Sequence, residues 1–185
     1  ILLTGTIEKL RRQTQKRVDE GFLGLDSSAM TKEKKFDQWV GVGTFDQSVS
    51  GIALTSTSGD FNKATAEKVV VNLASVTAPV IFVLKKNKSV LTKLEAWLQL
   101  FGSRELPMLL IDDEADNASV NTKEADAPTA INAAIRKILK LFDKCNYVGF
   151  TATPYANIFI DPDSTQEMLA QDLFPRNFIY KNRKN

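Results

Sequence analysis

A short apolar run that ends in carboxylates is the part of this chain with the clearest chemical meaning. Residues 108–111 are apolar, and Asp112, Asp113, Glu114 and Asp116 follow them. An apolar run of this length indicates a buried strand. Open α/β sheets bind ligands at the carboxyl ends of their strands, so the acidic residues are expected there. Nucleoside-triphosphate hydrolysis requires carboxylates that hold a metal ion and direct a water molecule.

The two adjacent carboxylates receive different roles in this interpretation. Asp113 would hold Mg²⁺ through a water molecule, and Glu114 would act on the attacking water as a base or an orienting group. The alternative is a solvated helix start, because carboxylates stabilise helix N-termini. The position directly after a buried strand favours the functional interpretation.

A second apolar run, Tyr147–Phe150, ends in hydroxyl side chains. It would place Thr151 and Thr153 at the same sheet edge as the carboxylates. These hydroxyls could bond Asp116 and couple the nucleotide site to movement elsewhere. The alternative is that threonines suit a strand end and that Pro154 stops the strand.

An alternation of strands and helices must position these groups. Besides the acidic strand and Tyr147–Phe150, strands are predicted at Ile1–Thr4 and Val80–Leu84. Helices are predicted from a Thr6 cap to Glu20, from Val90 to Phe101, and from Pro128 to Phe142. This order predicts an α/β fold with a parallel sheet.

The first helix carries most of the basic residues near the chain start. Its core face is predicted to consist of Ile7, Leu10, Thr14 and Val18, and its other faces carry Arg11, Arg12, Lys16 and Arg17. Residues 55–58, which all carry hydroxyls, are predicted to form a flexible loop.

The composition excludes several kinds of site. The chain has 185 residues, enough for one domain, and a net charge of +2, too small to indicate nucleic acid by itself. It has no histidine, which excludes His-based triads and His-ligated zinc. The one cysteine, Cys145, cannot form an intramolecular disulfide, and no apolar run has membrane-spanning length, so we expect a cytoplasmic protein without membrane partners.

Three short motifs resemble those of superfamily-two helicases. The segment 113–116, Asp-Glu-Ala-Asp, resembles motif II, the Walker B box, and 151–154, Thr-Ala-Thr-Pro, resembles motif III. Thr4-Gly5 followed by 10–13, Leu-Arg-Arg-Gln, resembles motif Ia, which contacts the nucleic-acid backbone in that superfamily.

Longer stretches resemble the bacterial and phage Z-one domain family, whose members are described as endonucleases with a helicase-type ATPase core. These stretches are 111–119, 149–161 and 172–179. The resemblance implies a three-layer RecA-like P-loop NTPase lobe, with 1–160 as a partial first lobe and 161–185 leading to the next domain. It also implies ATP and Mg²⁺ as cofactors, DNA as the partner with RNA as the alternative, and a restriction or phage-defence protein.

One element of that superfamily is missing from the sequence. No Gly-x-x-x-x-Gly-Lys-Ser/Thr loop, which cradles the triphosphate, occurs in the chain. Since the chain opens without Met inside a predicted strand, we expect a piece that lacks its phosphate-loop strand and does not hydrolyse ATP alone. Tyr147–Phe150 would then be an exposed sheet edge that promotes self-association.

Contacts with a nucleic-acid backbone are expected from groups near the first and third strands. The candidates are Thr4, Gly5, Arg11, Arg12, Gln13, Lys85 and Lys86. The alternative for the basic residues is a solvated helix face and a charged loop. Aromatic residues suited to base stacking are not interleaved with them, which argues against sequence readout.

Two other functions compete with the motor interpretation. In a metal-dependent nuclease, Asp112, Asp113, Glu114 and Asp116 would bind two ions directly. Against this, no acidic pair with a suitably spaced lysine is present, and the Thr-Ala-Thr-Pro strand would have no role. In a non-catalytic lobe, the chain would only recruit DNA or a protein partner.

Overall fold

The structure is a computed structural model that describes residues 1–28, 38–48, 51–69, 73–116, 130–152, 173 and 179–180. Four strands form a parallel sheet in the order β4-β1-β5-β6. They are β1 (Leu2–Thr4), β4 (Val83–Lys85), β5 (Met108–Asp113) and β6 (Cys145–Phe150). The predicted α/β class with a mostly parallel sheet is confirmed.

The predicted strand at Val80–Leu84 forms as two short strands. β3 (Val80–Ile81) pairs in parallel with β2 (Ile52–Ala53), and β4 pairs with β1. Phe82 separates the two, and its carbonyl accepts a hydrogen bond of 2.7 Å from the Leu2 amide. The chain therefore passes directly from one sheet to the other.

Helices α1 (Glu8–Val18), α2 (Lys63–Val69), α3 (Lys88–Phe101) and α4 (Ala130–Leu139) connect these strands. Helix α3 begins where Asn87 Oδ1 accepts the amides of Ser89 and Val90, and it ends at Gly102, as predicted. The start predicted for α4, Pro128, lies outside the described residues.

The core lies between the sheet and the pair α3 and α4. Leu110 from β5, Leu94 from α3 and Ile135 from α4 are each fully buried in it. Trp97 is also fully buried, and its ring lies within 6.0 Å of the rings of Phe61 and Phe82. Aliphatic contacts and edge-to-face aromatic contacts thus stabilise the core to which β5 contributes Leu110.

The structure corrects the prediction for the first helix. Ile7, not Thr6, precedes α1 and provides no side-chain cap, and after Val18 the chain continues through a π-helical turn that includes Gly21. The buried face is polar, because Arg11 and Gln15 are completely inside. Ile7 and Leu10, predicted to face the core, are 58% and 36% exposed.

The carboxyl-terminal part of the chain is described only at a few positions. Leu173 is buried and belongs to the core, whereas Ile179 and Tyr180 are exposed. The proposed division at residue 160 lies outside the described residues. Within the ranges that the structure describes, every helix is too short or too polar to cross a lipid bilayer.

Candidate functional site

The carboxyl ends of the four parallel strands lie side by side. Thr4 pairs with Lys85, Leu3 with Asp112, and Asp113 with Phe150. The residues that follow each strand therefore share one edge: Gly5 after β1, Lys86 after β4, Glu114 after β5 and Thr151 after β6. We call this edge the carboxyl edge. The sequence predicts that Glu114 and Thr151 share this edge, and the structure places Gly5 there as well.

Asp113 is the last residue of β5 and its side chain faces solvent. Its Oδ1 accepts a hydrogen bond of 3.1 Å from the Glu114 amide, a contact between neighbours that fixes the carboxylate at the strand end. A solvent-facing carboxylate in this place suits a hard cation such as Mg²⁺. Within the described ranges, no three Asp, Glu or Cys side chains gather into a metal site.

Glu114 adopts a left-handed backbone conformation, with φ of 55°. Such conformations are rare for residues with a side chain and concentrate at functional sites. Here the conformation turns the half-buried side chain back over the end of β1. A β-carbon on Gly5 would overlap the Glu114 carboxylate. Only glycine at position 5 leaves room for this arrangement.

Asp112, rather than Asp113, is the buried carboxylate of the acidic strand. Its Oδ2 accepts a hydrogen bond of 2.8 Å from the Tyr147 hydroxyl. Its Oδ1 lies 2.8 Å from the Lys86 ammonium, and both side chains are completely buried. Lys86 also donates to the backbone carbonyl of Glu114. These contacts, which we call the Lys86–Asp112–Tyr147 tie, connect β4, β5 and β6. The sequence interpretation missed this tie.

The predicted coupling residues lie where β5 and β6 end. Asp116 and Thr151 are both half-buried there. Ala115, which precedes Asp116, donates its amide to the carbonyl of Phe150, which precedes Thr151, at 2.9 Å. This bond joins the acidic turn to the end of β6. Thr153 lies outside the described residues.

The predicted nucleic-acid contacts separate into buried and exposed groups. Arg11 and Lys86 are inside the protein and hold internal partners, so they offer no surface to a phosphate backbone. Thr4 is also buried, and its hydroxyl donates to the Leu84 carbonyl at 3.2 Å. Gly5 is buried beside Glu114.

Arg12, Gln13 and Lys85 do reach the surface. Arg12 and Gln13 are exposed, and the Lys85 side chain is 29% exposed. Glu8 joins the two cations, with Oε1 3.3 Å from Arg12 Nε and Oε2 3.3 Å from Lys85 Nζ. The structure thus places the start of α1 and the end of β4 next to each other.

Glu8 is strongly biased towards its charged form. Its hydrogen bonds with the buried Arg11 guanidinium, with further contributions from Lys85 and Arg12, lower the pKa of Glu8 from 4.5 to about 2. Arg11 also donates to the Ser56 carbonyl at 2.9 Å, which attaches α1 to the loop after β2. Burial raises the pKa of Asp60, which lies on this loop near Arg11.

A second buried network extends along α1. Gln15 donates to Asp19 at 2.9 Å and accepts from the Thr55 hydroxyl at 2.8 Å, and Ser27 donates to Asp19 at 2.7 Å. Burial raises the pKa of Asp19. Thr55 and Ser56 are buried, which corrects the prediction of a flexible hydroxyl loop. This network holds α1 in place and lies away from the acidic turn.

A concave site lies at the opposite end of the sheet. It has a volume of about 370 Å³ and is lined by residues 107–109 and 143–146. Its walls are the amino ends of β5 and β6, and Asp143 beside it pairs with Arg104. The convergent charges and the strained backbone are all at the carboxyl edge, which is therefore the better candidate site.

Comparison of the chain with models of protein families, with curated proteins and with solved structures gives no match.

Proposed function

We propose that this chain is the water- and metal-handling part of a helicase-like ATPase of the Z-one type, which acts on DNA within a restriction or phage-defence protein. One observation carries the proposal. The exposed Asp113 is followed at once by Glu114, which a left-handed backbone turns over Gly5 at the carboxyl edge of a parallel sheet. The exposed Asp113 suits a metal ligand, and the half-buried Glu114 suits a group that acts on the attacking water.

In this proposal each side chain has a defined role. Asp113 would hold Mg²⁺, which when bound to ATP neutralises phosphate charge. Glu114 would orient the attacking water and accept its proton, because its carboxylate is half-buried and fixed beside Gly5. Asp116 and Thr151 would transmit the nucleotide state across the β5–β6 end, and Arg12, Gln13 and Lys85 would meet the nucleic-acid backbone.

The test uses the natural protein that contains residues 1–185. Glu114→Gln keeps the size of the side chain and removes its ability to take a proton, so we expect ATP turnover to fall by a factor on the order of 100 or more while ATP stays bound. Turnover is measured by phosphate release and binding by retention of radiolabelled ATP. Unchanged turnover would reject the role of Glu114.

The 185-residue chain by itself provides a second arm of this test. It has no phosphate-loop sequence, so we expect no ATP turnover above background with Mg²⁺ present. Robust phosphate release by the chain alone would contradict the proposal that it supplies only the water- and metal-handling groups of the ATPase.

The rival nuclease is less compatible with the geometry. Two directly bound ions would need Asp112, yet this carboxylate is buried and held by Lys86 and Tyr147. Manganese-dependent nicking of plasmid DNA without ATP, lost in Asp113→Asn, would favour the nuclease instead.

A further inference from the structure

We propose that Lys86 is a positioning residue that holds Glu114 in its working conformation. The inference rests on the proposed function for the role of Glu114, but the geometry concerns this chain alone. Lys86 follows β4, and Glu114 follows β5, two strands away in the sheet. Lys86 thus reaches across the end of β1 to bind the Glu114 carbonyl.

The first support is the strain at Glu114. Its φ of 55° is unfavourable for a residue with a β-carbon, so the surrounding contacts must stabilise it. An ammonium group that binds the carbonyl of the same residue provides such a contact. Because the ammonium is charged, this hydrogen bond is stronger than one between neutral groups.

The second support is the rigidity of Lys86 itself. A lysine side chain normally has many rotamers, but this one is completely buried, with its ammonium 2.8 Å from Asp112 Oδ1. Asp112 is held in turn by the Tyr147 hydroxyl at 2.8 Å. The Lys86–Asp112–Tyr147 tie therefore fixes the ammonium relative to three strands, and through it the backbone of the acidic turn.

The third support is that Glu114 is restrained at both ends. Lys86 binds its carbonyl, and the space over Gly5 receives its carboxylate. If the carbonyl contact were lost, residue 114 could relax to an ordinary backbone conformation, and its carboxylate would leave the end of β1. Lys86 would then influence hydrolysis without touching the nucleotide.

A simpler role for Lys86 is to neutralise the buried Asp112. Lys86→Met alone cannot separate the two roles, because it leaves a buried charge without a partner and is expected to destabilise the fold. The double variant Lys86→Met with Asp112→Asn removes both charges. It retains an acceptor for Tyr147 but leaves the Glu114 carbonyl without its ammonium.

Hydrogen exchange of the 185-residue chain gives a direct readout. The Ala115 amide, which follows Glu114 and bonds Phe150 O, reports on the acidic turn. In the folded double variant we expect this amide to exchange about tenfold faster, while amides of β1 and α3 keep their protection. Tyr147→Phe is the matched control, since it loosens Asp112 from the other side and keeps the Lys86–Glu114 contact; there the Ala115 rate should change less than about twofold.

Three results would overturn the proposal. They are an unchanged Ala115 rate in the folded double variant, an equal increase in Tyr147→Phe, and failure of the double variant to fold, which would make the role of Lys86 purely structural. In the natural protein, the double variant should lower kcat by a factor on the order of 10 to 100 with little change in KM for ATP. If the exchange result holds but Glu114→Gln has no effect on turnover, the positioning stands and the ATPase proposal fails.

Discussion

At the scale of single residues, the Glu114 carboxylate can lie over the end of β1 because Gly5 has no β-carbon. The carboxylate occupies the volume where any other residue would place its β-carbon. The sequence interpretation gave Gly5 a contact with nucleic acid, whereas the structure makes it a steric partner of Glu114. This dependence can be measured with pairs of substitutions.

Gly5→Ala is expected to lower the free energy of unfolding by less than about 1 kcal/mol, because the new methyl group overlaps only the far end of the flexible Glu114 side chain, which can move aside. Combining it with Glu114→Ala should recover most of that loss, since the two changes share one contact. Gly21→Ala, where a β-carbon meets nothing within 4 Å, is the control and should change stability little. Urea unfolding of the starting chain, Gly5→Ala, Glu114→Ala, the double variant and Gly21→Ala provides the measurement, and additive effects at 5 and 114 would disprove the contact.

Glu8 gives a prediction about pH. Its pKa is lowered to about 2 in the folded chain, so its ionised form stabilises the fold above pH 4.5, and this contribution is lost as the pH falls towards 2. Glu8→Gln should cost on the order of 1 kcal/mol at neutral pH, since solvent screens a carboxylate that is about one-third exposed. The difference between the two proteins in urea unfolding should shrink over that pH range. A difference in unfolding free energy between the two proteins that stays constant from about pH 7 to 2.5 would contradict the role of the ionised Glu8 carboxylate beside Arg11.

At the scale of elements, the strands and the position of α1 were predictable from the sequence, but the buried face of α1 was not. Apolar runs bounded by polar residues located β1, β5 and β6, and the carboxyl-edge rule then placed Asp113, Glu114 and Thr151 at one edge of the sheet. The buried face of α1 consists of Arg11 and Gln15, whose partners include Ser56 and Thr55. Those partners lie far along the chain, so periodicity within the helix could not reveal them.

The Lys86–Asp112–Tyr147 tie escaped prediction for the same reason. Lysine and aspartate are seldom completely buried, and sequence alone favours placing them in water. Here the two residues are buried together, because Lys86 pairs with Asp112 and Tyr147 donates to Asp112. The three side chains come from the end of β4, from β5 and from β6. By contrast, the place of Asp113 at the end of β5 was predictable, because it directly follows the apolar run 108–111 and its acidic neighbour.

Two neighbouring arginines of α1 should behave differently. Arg11→Ala is expected to cost about 3–5 kcal/mol, because it leaves a cavity and removes the cation that Glu8 and Asp60 face inside the protein. Arg12→Ala, with a side chain 58% exposed, should change stability by less than about 0.5 kcal/mol. Thermal unfolding compares them, and equal effects would reject the buried role of Arg11.

At the scale of the whole molecule, β6 is the last strand of the sheet among the residues that the structure describes. Within the described part of the chain, β6 pairs only with β5, and only Tyr147 and Val148 of this strand are half-buried, the residues at both of its ends being exposed. Leu109 and Phe150, on paired strands, are 49% and 56% exposed. An edge with free backbone groups beside apolar side chains is prone to pair with another chain.

We therefore expect the 185-residue chain to self-associate through β6. Phe150→Lys should reduce this association, because a charge next to the edge resists strand pairing. Light scattering should show a mass above 20.5 kDa for the starting chain and a mass closer to that value for the variant. Lys140→Met, on the segment after α4, serves as the control with a changed charge away from this edge. A variant that associates as strongly as the starting chain would exclude β6 as the contact.

The central place of β1 has a consequence for synthesis on the ribosome. Leu2 lies between Val83 on one side and Ile111 on the other. At about 5–20 residues per second, the ribosome needs roughly 5–20 seconds after β1 to supply both neighbours. During that time the apolar residues of β1 have no partner strands, and the long sequence separation between paired strands favours slow folding. A chaperone that binds short apolar segments should therefore recognise nascent chains of this protein until the acidic strand has emerged.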